Sequence, residues 1–324
     1  MEPRVVVIGG GTGTYTALTG LKKHVSDLTA IVSMADDGGS SGILRDEFGH
    51  LPPGDVRRCL LALSSEPAAA TLRQLFEYRF NRGRGLNGHS FGNIFLTALT
   101  EITGRPDRAI QEAAKILNVK GTVLPVTLSN SHLCARLEDG TIIRGETNID
   151  LRRVRLELRI IDVYLDPPAQ ANPAAVKAIE SAEVIVLGPG DLFTSVIPNL
   201  LVEGIPQAIV RSKATVIYVC NLMTKHGETD GFQASDFIAE MQRYLASEDR
   251  IDVAILNRSE APSDLLNKYA SERSFPVLVD WEPCAARVPR LTVEDLAAPG
   301  TLWRHDPDKL ARTILRVADS WQKR

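Results

Sequence analysis

The stretch that decides the fold is VVVIGGGTGT, which occupies residues 5–14. Four β-prone apolar residues run into a turn of glycine and threonine, and a helical pattern follows over residues 14–23. A second β-prone run at residues 28–33 ends in ADDGGSSG at residues 35–42. This order predicts a strand–turn–helix–strand unit whose two turns lie at the same edge of a parallel sheet. Ligands of open α/β sheets bind at that edge.

The composition is that of a globular protein with a large core. The 324 residues are 44% hydrophobic and carry a net charge of −3, which does not indicate a nucleic-acid surface or a polybasic membrane patch. No apolar run approaches the roughly 20 residues that a membrane span needs. The first residues show no leader pattern, and four widely spaced cysteines predict reduced core thiols. We therefore expect a soluble, cytoplasmic protein.

The rest of the chain predicts further α/β elements with two interruptions. Helices are expected at 55–65 and 68–80, after residues 87–90, and from Pro106 to Asn118, so residues 55–118 form a helical block. Residues 121–166 favour strands, with a hairpin at Asp139-Gly140 and a half-exposed strand at 154–159. The α/β rhythm then returns with predicted helices at 173–181, from 235 and at 307–322, and strands at 184–187, 216–219 and 253–256.

These elements predict an α/β fold built on one doubly wound, mainly parallel sheet with a Rossmann-like start. We expect a single domain over residues 1–324, in which the mainly β segment at about 121–166 is a small insertion.

The first turn is predicted to contact a phosphate. Glycines let the backbone N–H groups approach an anion, and the positive end of the following helix favours it. The residues that we expect to contribute are Gly10, Gly11, Thr12, Gly13 and Thr14. However, the dinucleotide fingerprint GxGxxG fails in every register of this turn, and no Gly-Lys pair of a Walker A motif exists in the chain. A tight turn that needs glycine only for its geometry is the plain alternative.

The second turn offers two adjacent carboxylates, Asp36 and Asp37, followed by Gly38, Gly39 and Ser40. One carboxylate would accept a ribose hydroxyl in a dinucleotide fold. Two carboxylates before a flexible loop better suit Mg²⁺, which shares such ligands with substrate phosphates. A helix cap beside an exposed aspartate is the alternative. We predict that Asp36 or Asp37 faces the ligand as a metal ligand or a positioner.

Two later strands end in turns of the same kind, so four strand ends converge on one crevice. Their candidate ligand residues are Gly188, Pro189, Gly190, Asp191, Thr194, Ser195, Asn221 and Thr224. A helix start adds His89 and Asn93, for which a structural role explains the sequence equally well. No HExxH motif is present. We therefore expect a site rich in phosphate chemistry and poor in acid–base machinery, with no catalytic residue assigned.

These motifs together resemble the YvcK family of gluconeogenesis factors, within the CofD-like superfamily. The similar segments are residues 8–13, 35–42, 52–57, 88–93, 188–190, 193–200 and 221–229, so the resemblance covers nearly the whole chain. It implies a cytoplasmic bacterial protein needed for growth on gluconeogenic carbon, for cell shape and for cell-wall synthesis. It also implies a bound UDP-sugar, UDP-N-acetylglucosamine in particular, and an unidentified protein partner; a homodimer is left open.

The resemblance adds two ligand residues, because a Tyr and an Arg tied to the UDP-sugar in this family fall on Tyr269 and Arg304. Tyrosine can stack on uracil and arginine can hold a diphosphate, although the residues alone would suggest ordinary surface or packing positions. Pro307 stands where some relatives carry a phosphorylatable Thr, so kinase control at this position is not expected.

Three functions stay open. The leading hypothesis is a nucleotide-sugar-binding regulator that does not act as an enzyme. CofD itself is a Mg²⁺-dependent transferase that joins a 2-phospholactyl group, carried on a nucleotide, to a deazaflavin precursor, and an enzyme of this type would use Asp36 or Asp37. NAD(P) binding is the third hypothesis, which the βαβ start suggests and the failed fingerprint disfavours.

Overall fold

A computed structural model describes residues 2–65 and 70–322 of the chain. The strands are β1 (Val5–Gly9), β2 (Leu28–Val32), β3 (Thr122–Pro125), β4 (His132–Leu137), β5 (Ile142–Arg144), β6 (Ile160–Asp166), β7 (Val184–Leu187), β8 (Thr215–Val219), β9 (Val253–Asn257) and β10 (Arg290–Glu294). The helices are α1 (Gly11–Leu21), α2 (Gly39–Phe48), α3 (Gly54–Leu63), α4 (Ala70–Glu77), α5 (Phe91–Thr103), α6 (Pro106–Ile116), α7 (Glu146–Asp150), α8 (Pro173–Ser181), α9 (Ile197–Leu200), α10 (Ile205–Arg211), α11 (Ala234–Leu245), α12 (Ser263–Ser271), α13 (Trp281–Arg287) and α14 (Pro307–Gln322).

The main sheet has the strand order β10-β9-β8-β7-β1-β2-β3, and neighbouring strands in it pair in parallel. This confirms the predicted α/β fold. The order reverses between β1 and β7, because the chain first builds outwards through β2 and later through β8. Ile8 is level with Ile31 on one side and with Leu187 on the other, so these strand ends meet at one edge. Such a reversal is where open sheets bind ligands.

The strands of the main sheet are apolar throughout because helices cover both faces. Val7, Ile8, Val184 and Ile217 have no exposed side-chain surface, and the core runs without a break from β2 to β9. Buried parallel strands therefore show continuous apolar runs rather than alternation. The four cysteines are buried and free, as predicted.

The second sheet is small and antiparallel, with the order β5-β4-β6, and it contains the predicted hairpin. It is shorter than the predicted β segment at 121–166, because β3 pairs with β2 in the main sheet. The strand predicted at 154–159 is absent, and turns occupy this segment. Arg155 there has a φ of 53°, a left-handed conformation that does not fit a strand.

Two predicted boundaries differ from the structure. The loop expected to be flexible after Asp37 is instead the start of α2 at Gly39. The helix predicted at 68–80 is α4, which is described from Ala70 to Glu77; residues 68 and 69 lie outside the described residues. Among the helices of the described ranges, none is long and apolar enough to cross a membrane.

Candidate functional site

A cleft of about 580 Å³ opens where β1, β2, β7 and β8 end. It therefore lies at the reversal of the strand order, where the sequence predicted a crevice. The predicted site residues that line it are Gly10, Gly11, Thr12, Gly13, Asp36, Gly38, Gly39, Pro189, Gly190, Asp191, Ser195, Asn221, Thr224, Tyr269 and Arg304. The other predicted residues, which do not line it, are Thr14, Asp37, Ser40, His89, Asn93, Gly188 and Thr194.

The glycine wall of the cleft consists of Gly10–Gly13 and Pro189–Gly190. Gly10 caps α1 without a side chain that could bond the first amides of the helix. A Cβ on Gly13 would collide with the carbonyl of Pro189, so the two turns touch only because residue 13 is glycine. The positive end of α1 and its first N–H groups thus face the cleft, an arrangement that suits a phosphate.

Thr14 and Thr194, which lie near the glycine wall, do not line the cleft. The Thr14 hydroxyl donates to the carbonyl of Gly10 at 3.1 Å and is fully buried. The Thr194 hydroxyl faces the buried carboxylate of Glu228 at 3.4 Å. Both hydroxyls therefore hold turns in place.

The histidine and asparagine predicted from the helix start belong to a buried network behind the cleft. The Ser40 hydroxyl lies 3.3 Å from His89 Nδ1 and accepts the Ser90 N–H at 3.2 Å. Asn93 accepts from Arg57 Nε at 2.9 Å and donates to the Ser41 hydroxyl at 3.2 Å. This network joins α2 to α5, which is the structural role that the sequence left open.

The structure separates the two carboxylates that the sequence grouped. Asp37 accepts the backbone N–H groups of Glu146 at 3.1 Å and Thr147 at 2.7 Å, so it anchors the start of α7 outside the cleft. Asp36 lines the cleft and accepts the Gly38 N–H at 3.0 Å. Asp36 is thus placed to meet a ligand, whereas both oxygens of Asp37 are engaged.

Asp36, Asp55 and Glu146 line the cleft and form the acidic wall, which meets the glycine wall where Asp55 lies against Gly10. The start of α3 can approach the Asp36 carboxylate only because residue 54 is glycine, since a Cβ there would collide with that carboxylate. Burial and then the Asp36 charge raise the pKa of Glu146 to about 9. The same two causes raise the pKa of Asp55 to about 6, although Arg58 at 3.5 Å opposes this. Carboxylate oxygens from three segments are a donor set that fits a divalent cation such as Mg²⁺.

The far end of the cleft is aromatic and basic. Tyr269 and Trp303 line it beside Arg304, and the backbone N–H of Trp303 donates to the Tyr269 hydroxyl at 3.0 Å. Burial lowers the pKa of the neighbouring His305 to about 4, so this imidazole is neutral near pH 7. The tyrosine and the arginine, distant in sequence, therefore share one wall, where a ring can stack and a guanidinium can hold an anion.

Sequence reasoning missed several lining residues with charged or aromatic side chains. They are Asp55, Arg58, Glu146, Asp150, Lys225, Trp303 and His305. A signal existed for Asp55, which follows the conspicuous turn Pro52-Pro53-Gly54. Glu146 and Asp150 gave none, because they lie in the β-rich segment, away from any strand end of the main sheet.

The family model of 2-phospho-L-lactate transferase CofD matches residues 5–297. The chain belongs to the CofD family. It is 44% identical to the gluconeogenesis factor of Halalkalibacterium halodurans, covering 97% of this chain and 96% of that one. It is 38% identical to the gluconeogenesis factor of Bacillus subtilis, covering 97% and 98% of the two chains. These relatives confirm the resemblance to the YvcK family of gluconeogenesis factors.

A solved structure supports the same placement. A Bacillus halodurans protein of the UPF0052 family matches with a TM-score of 0.90 at 42% identity, covering 97% of this chain and 100% of that one. The arrangement of sheet and helices is therefore that of the family.

Proposed function

We propose that this CofD-family protein is a regulator that binds a nucleotide sugar of the UDP-N-acetylglucosamine type. The observation that carries the proposal is the meeting of the glycine wall with Tyr269 and Arg304 in one cleft. The diphosphate would lie against the first turn of α1 and Arg58, and uracil would stack on Tyr269. A volume of about 580 Å³ is within the ordinary range of small-molecule pockets.

The same proposal assigns the cellular role. The gluconeogenesis-factor relatives support a link to growth on gluconeogenic carbon sources. A cytoplasmic location, an influence on cell shape and cell-wall synthesis, and a protein partner under nucleotide-sugar control complete it. In this scheme the ligand reports the supply of cell-wall precursor and alters the affinity for the partner.

A divalent cation would act as a co-ligand. Asp36, Asp55 and Glu146 would hold it, since their carboxylates line the cleft near the proposed diphosphate. The cation would offset the repulsion between these carboxylates and the phosphates of the ligand. Asp37 has no place in this set because its oxygens anchor α7.

A second candidate function is a CofD-type transfer of a 2-phospholactyl group to a deazaflavin. The match of the CofD family model to residues 5–297, together with the acidic wall, favours it. NAD(P) binding is the third candidate and rests only on the βαβ start.

Calorimetry with UDP-N-acetylglucosamine, GDP and NAD, each with and without Mg²⁺, tests these candidates. We expect UDP-N-acetylglucosamine to bind far below the roughly millimolar range of weak ligands, and Arg304→Met to weaken it. Binding of NAD without any UDP-sugar would overturn the proposal. Turnover of a phospholactyl nucleotide with a deazaflavin acceptor would establish the transferase instead.

A further inference from the structure

A second acidic cluster, formed by Asp150, Asp191 and Glu228, lies beside the acidic wall. One carboxylate oxygen of each residue lies within 4.8 Å of the others, a spacing that could hold a metal ion. The three residues come from separate segments, namely the end of α7, the turn after β7 and the loop after β8. The cluster therefore joins three parts of the chain that are distant in sequence.

A lysine ammonium occupies the centre of this cluster. Lys225 Nζ lies 2.8 Å from Asp191 and 3.1 Å from Glu228, and it also donates to Asp150. Burial would by itself lower the pKa of Lys225, but the three carboxylates raise it above its usual range. The ammonium donates to two carboxylates and forms an ion pair with the third, so its charge is already matched by residues of the protein.

The residues around Lys225 connect two surfaces of the cleft. Asp150 ends α7, whose first residue is Glu146 of the acidic wall. Asp191 follows directly on Pro189–Gly190 of the glycine wall. Glu228 is fully buried beneath them. The buried Arg152 makes a parallel connection, since it donates to the carbonyls of Gly227 and Leu158.

We infer that Lys225 is a positioning residue, a built-in cation that fixes α7 against the turn after β7 where a metal ion would otherwise be required. It thereby sets the distance between the acidic and glycine walls. Its effect on ligand binding rests on the proposed function, whereas its role as a resident cation does not. Phosphate binding is then left to Arg58, Arg304 and the amides of α1.

The test is Lys225→Met, which keeps the length of the side chain, removes the charge and leaves three carboxylates at metal-ligand spacing. We expect this variant to bind one Mn²⁺ per chain more than the parent, measured by electron paramagnetic resonance. Without metal its unfolding midpoint is lowered, and Mn²⁺ or Ca²⁺ restores the midpoint. These readouts need no nucleotide, so they stand even if the proposed function fails.

The ligand arm of the test uses the same proteins. We expect Lys225→Met in EDTA to lose about tenfold or more in affinity for UDP-N-acetylglucosamine relative to the parent in EDTA, since the acidic and glycine walls would no longer be held at a fixed distance. Ca²⁺ should close most of this gap to the parent measured in the same Ca²⁺, whereas Lys225→Met with Asp150→Asn should gain neither the additional metal ion nor this recovery. Lys225→Arg, which keeps the charge, should bind the ligand close to the parent.

Two outcomes would overturn the inference. One is a folded Lys225→Met protein with no additional Mn²⁺ site and a midpoint indifferent to divalent cations. The other is an unchanged ligand affinity in EDTA, which would mean that Lys225 does not set the cleft. If Lys225→Met folds only when Ca²⁺ is present, the resident-cation role is supported directly.

Discussion

The glycine wall and the acidic wall face the same cleft but are built in opposite ways. The glycine wall is backbone: two short turns touch because residue 13 has no side chain, and they present the positive end of a helix. The acidic wall is side chain: Asp36, Asp55 and Glu146 come from three segments and repel one another. Anions are favoured on one side and cations on the other. Under the proposed function, the phosphates of the ligand would reach the acidic wall through a cation.

The largest effect is expected from breaking the contact between the two glycine turns. Gly13→Ala would drive its Cβ into the carbonyl of Pro189, and neither backbone can yield without moving β1 or β7. We expect a loss of about 3 kcal/mol in the free energy of unfolding, at the upper end of overpacking effects. Urea denaturation measures it, and calorimetry should show that nucleotide-sugar binding is abolished.

The matched control for Gly13→Ala is Gly85→Ala. Gly85 is exposed, and a Cβ there would meet no atom within 4 Å. The control should leave stability and binding unchanged. If Gly13→Ala were equally harmless, the glycine wall would not depend on the close approach of its turns.

The neighbouring aspartates provide the next comparison, because one belongs to the acidic wall and the other supports it. Asp37 accepts two backbone N–H groups of α7, and asparagine would present an NH₂ group to one of them. We expect Asp37→Asn to lower the free energy of unfolding by about 2 kcal/mol, typical of a lost hydrogen bond to a charged group. Asp36→Asn keeps the acceptor for the Gly38 N–H and should change stability little.

Metal binding should show the reverse order for these two variants. Asp36→Asn removes a charge that faces the cleft, so the affinity for Mn²⁺ should fall. Asp37→Asn should keep that affinity as long as the protein is folded. A loss of Mn²⁺ binding in Asp37→Asn, at unchanged stability, would instead support Asp37 as a metal ligand, which the sequence left open.

The contrast between the walls also explains how far the sequence could be interpreted. Turn residues and strand ends are local signals, so the parallel sheet, the crevice at its strand ends and the residues of the glycine wall could be predicted from the apolar runs and the turns that follow them. The direction of a side chain is not local. Thr14 and His89 point away from the cleft because their hydrogen-bond partners are buried in the protein. No sequence signal near Glu146 indicates that it lies beside Asp36.

Counted per pH unit, the smallest expected effect concerns the proton on the acidic wall. Glu146 has its pKa raised from 4.5 to about 9 by burial and neighbouring carboxylates, Asp36 foremost. Between these values the folded protein keeps a proton that the unfolded chain has released. Stability therefore falls as the pH rises through this window, by at most about 1.4 kcal/mol per pH unit for one group.

Glu146→Gln should remove this part of the pH dependence, because glutamine stays neutral throughout. Urea denaturation between about pH 5.5 and 8.5, within the window of linkage, measures the slope for parent and variant. The control is Glu47→Gln, which neutralises an exposed carboxylate outside the cleft and should keep the slope of the parent. Mn²⁺ should flatten the slope in the parent and not in Glu146→Gln, since a bound cation stabilises the ionised carboxylate. If Glu146→Gln retained the full slope, another group would be responsible for the pH dependence of stability. Glu146 would then be ionised in the metal-free protein.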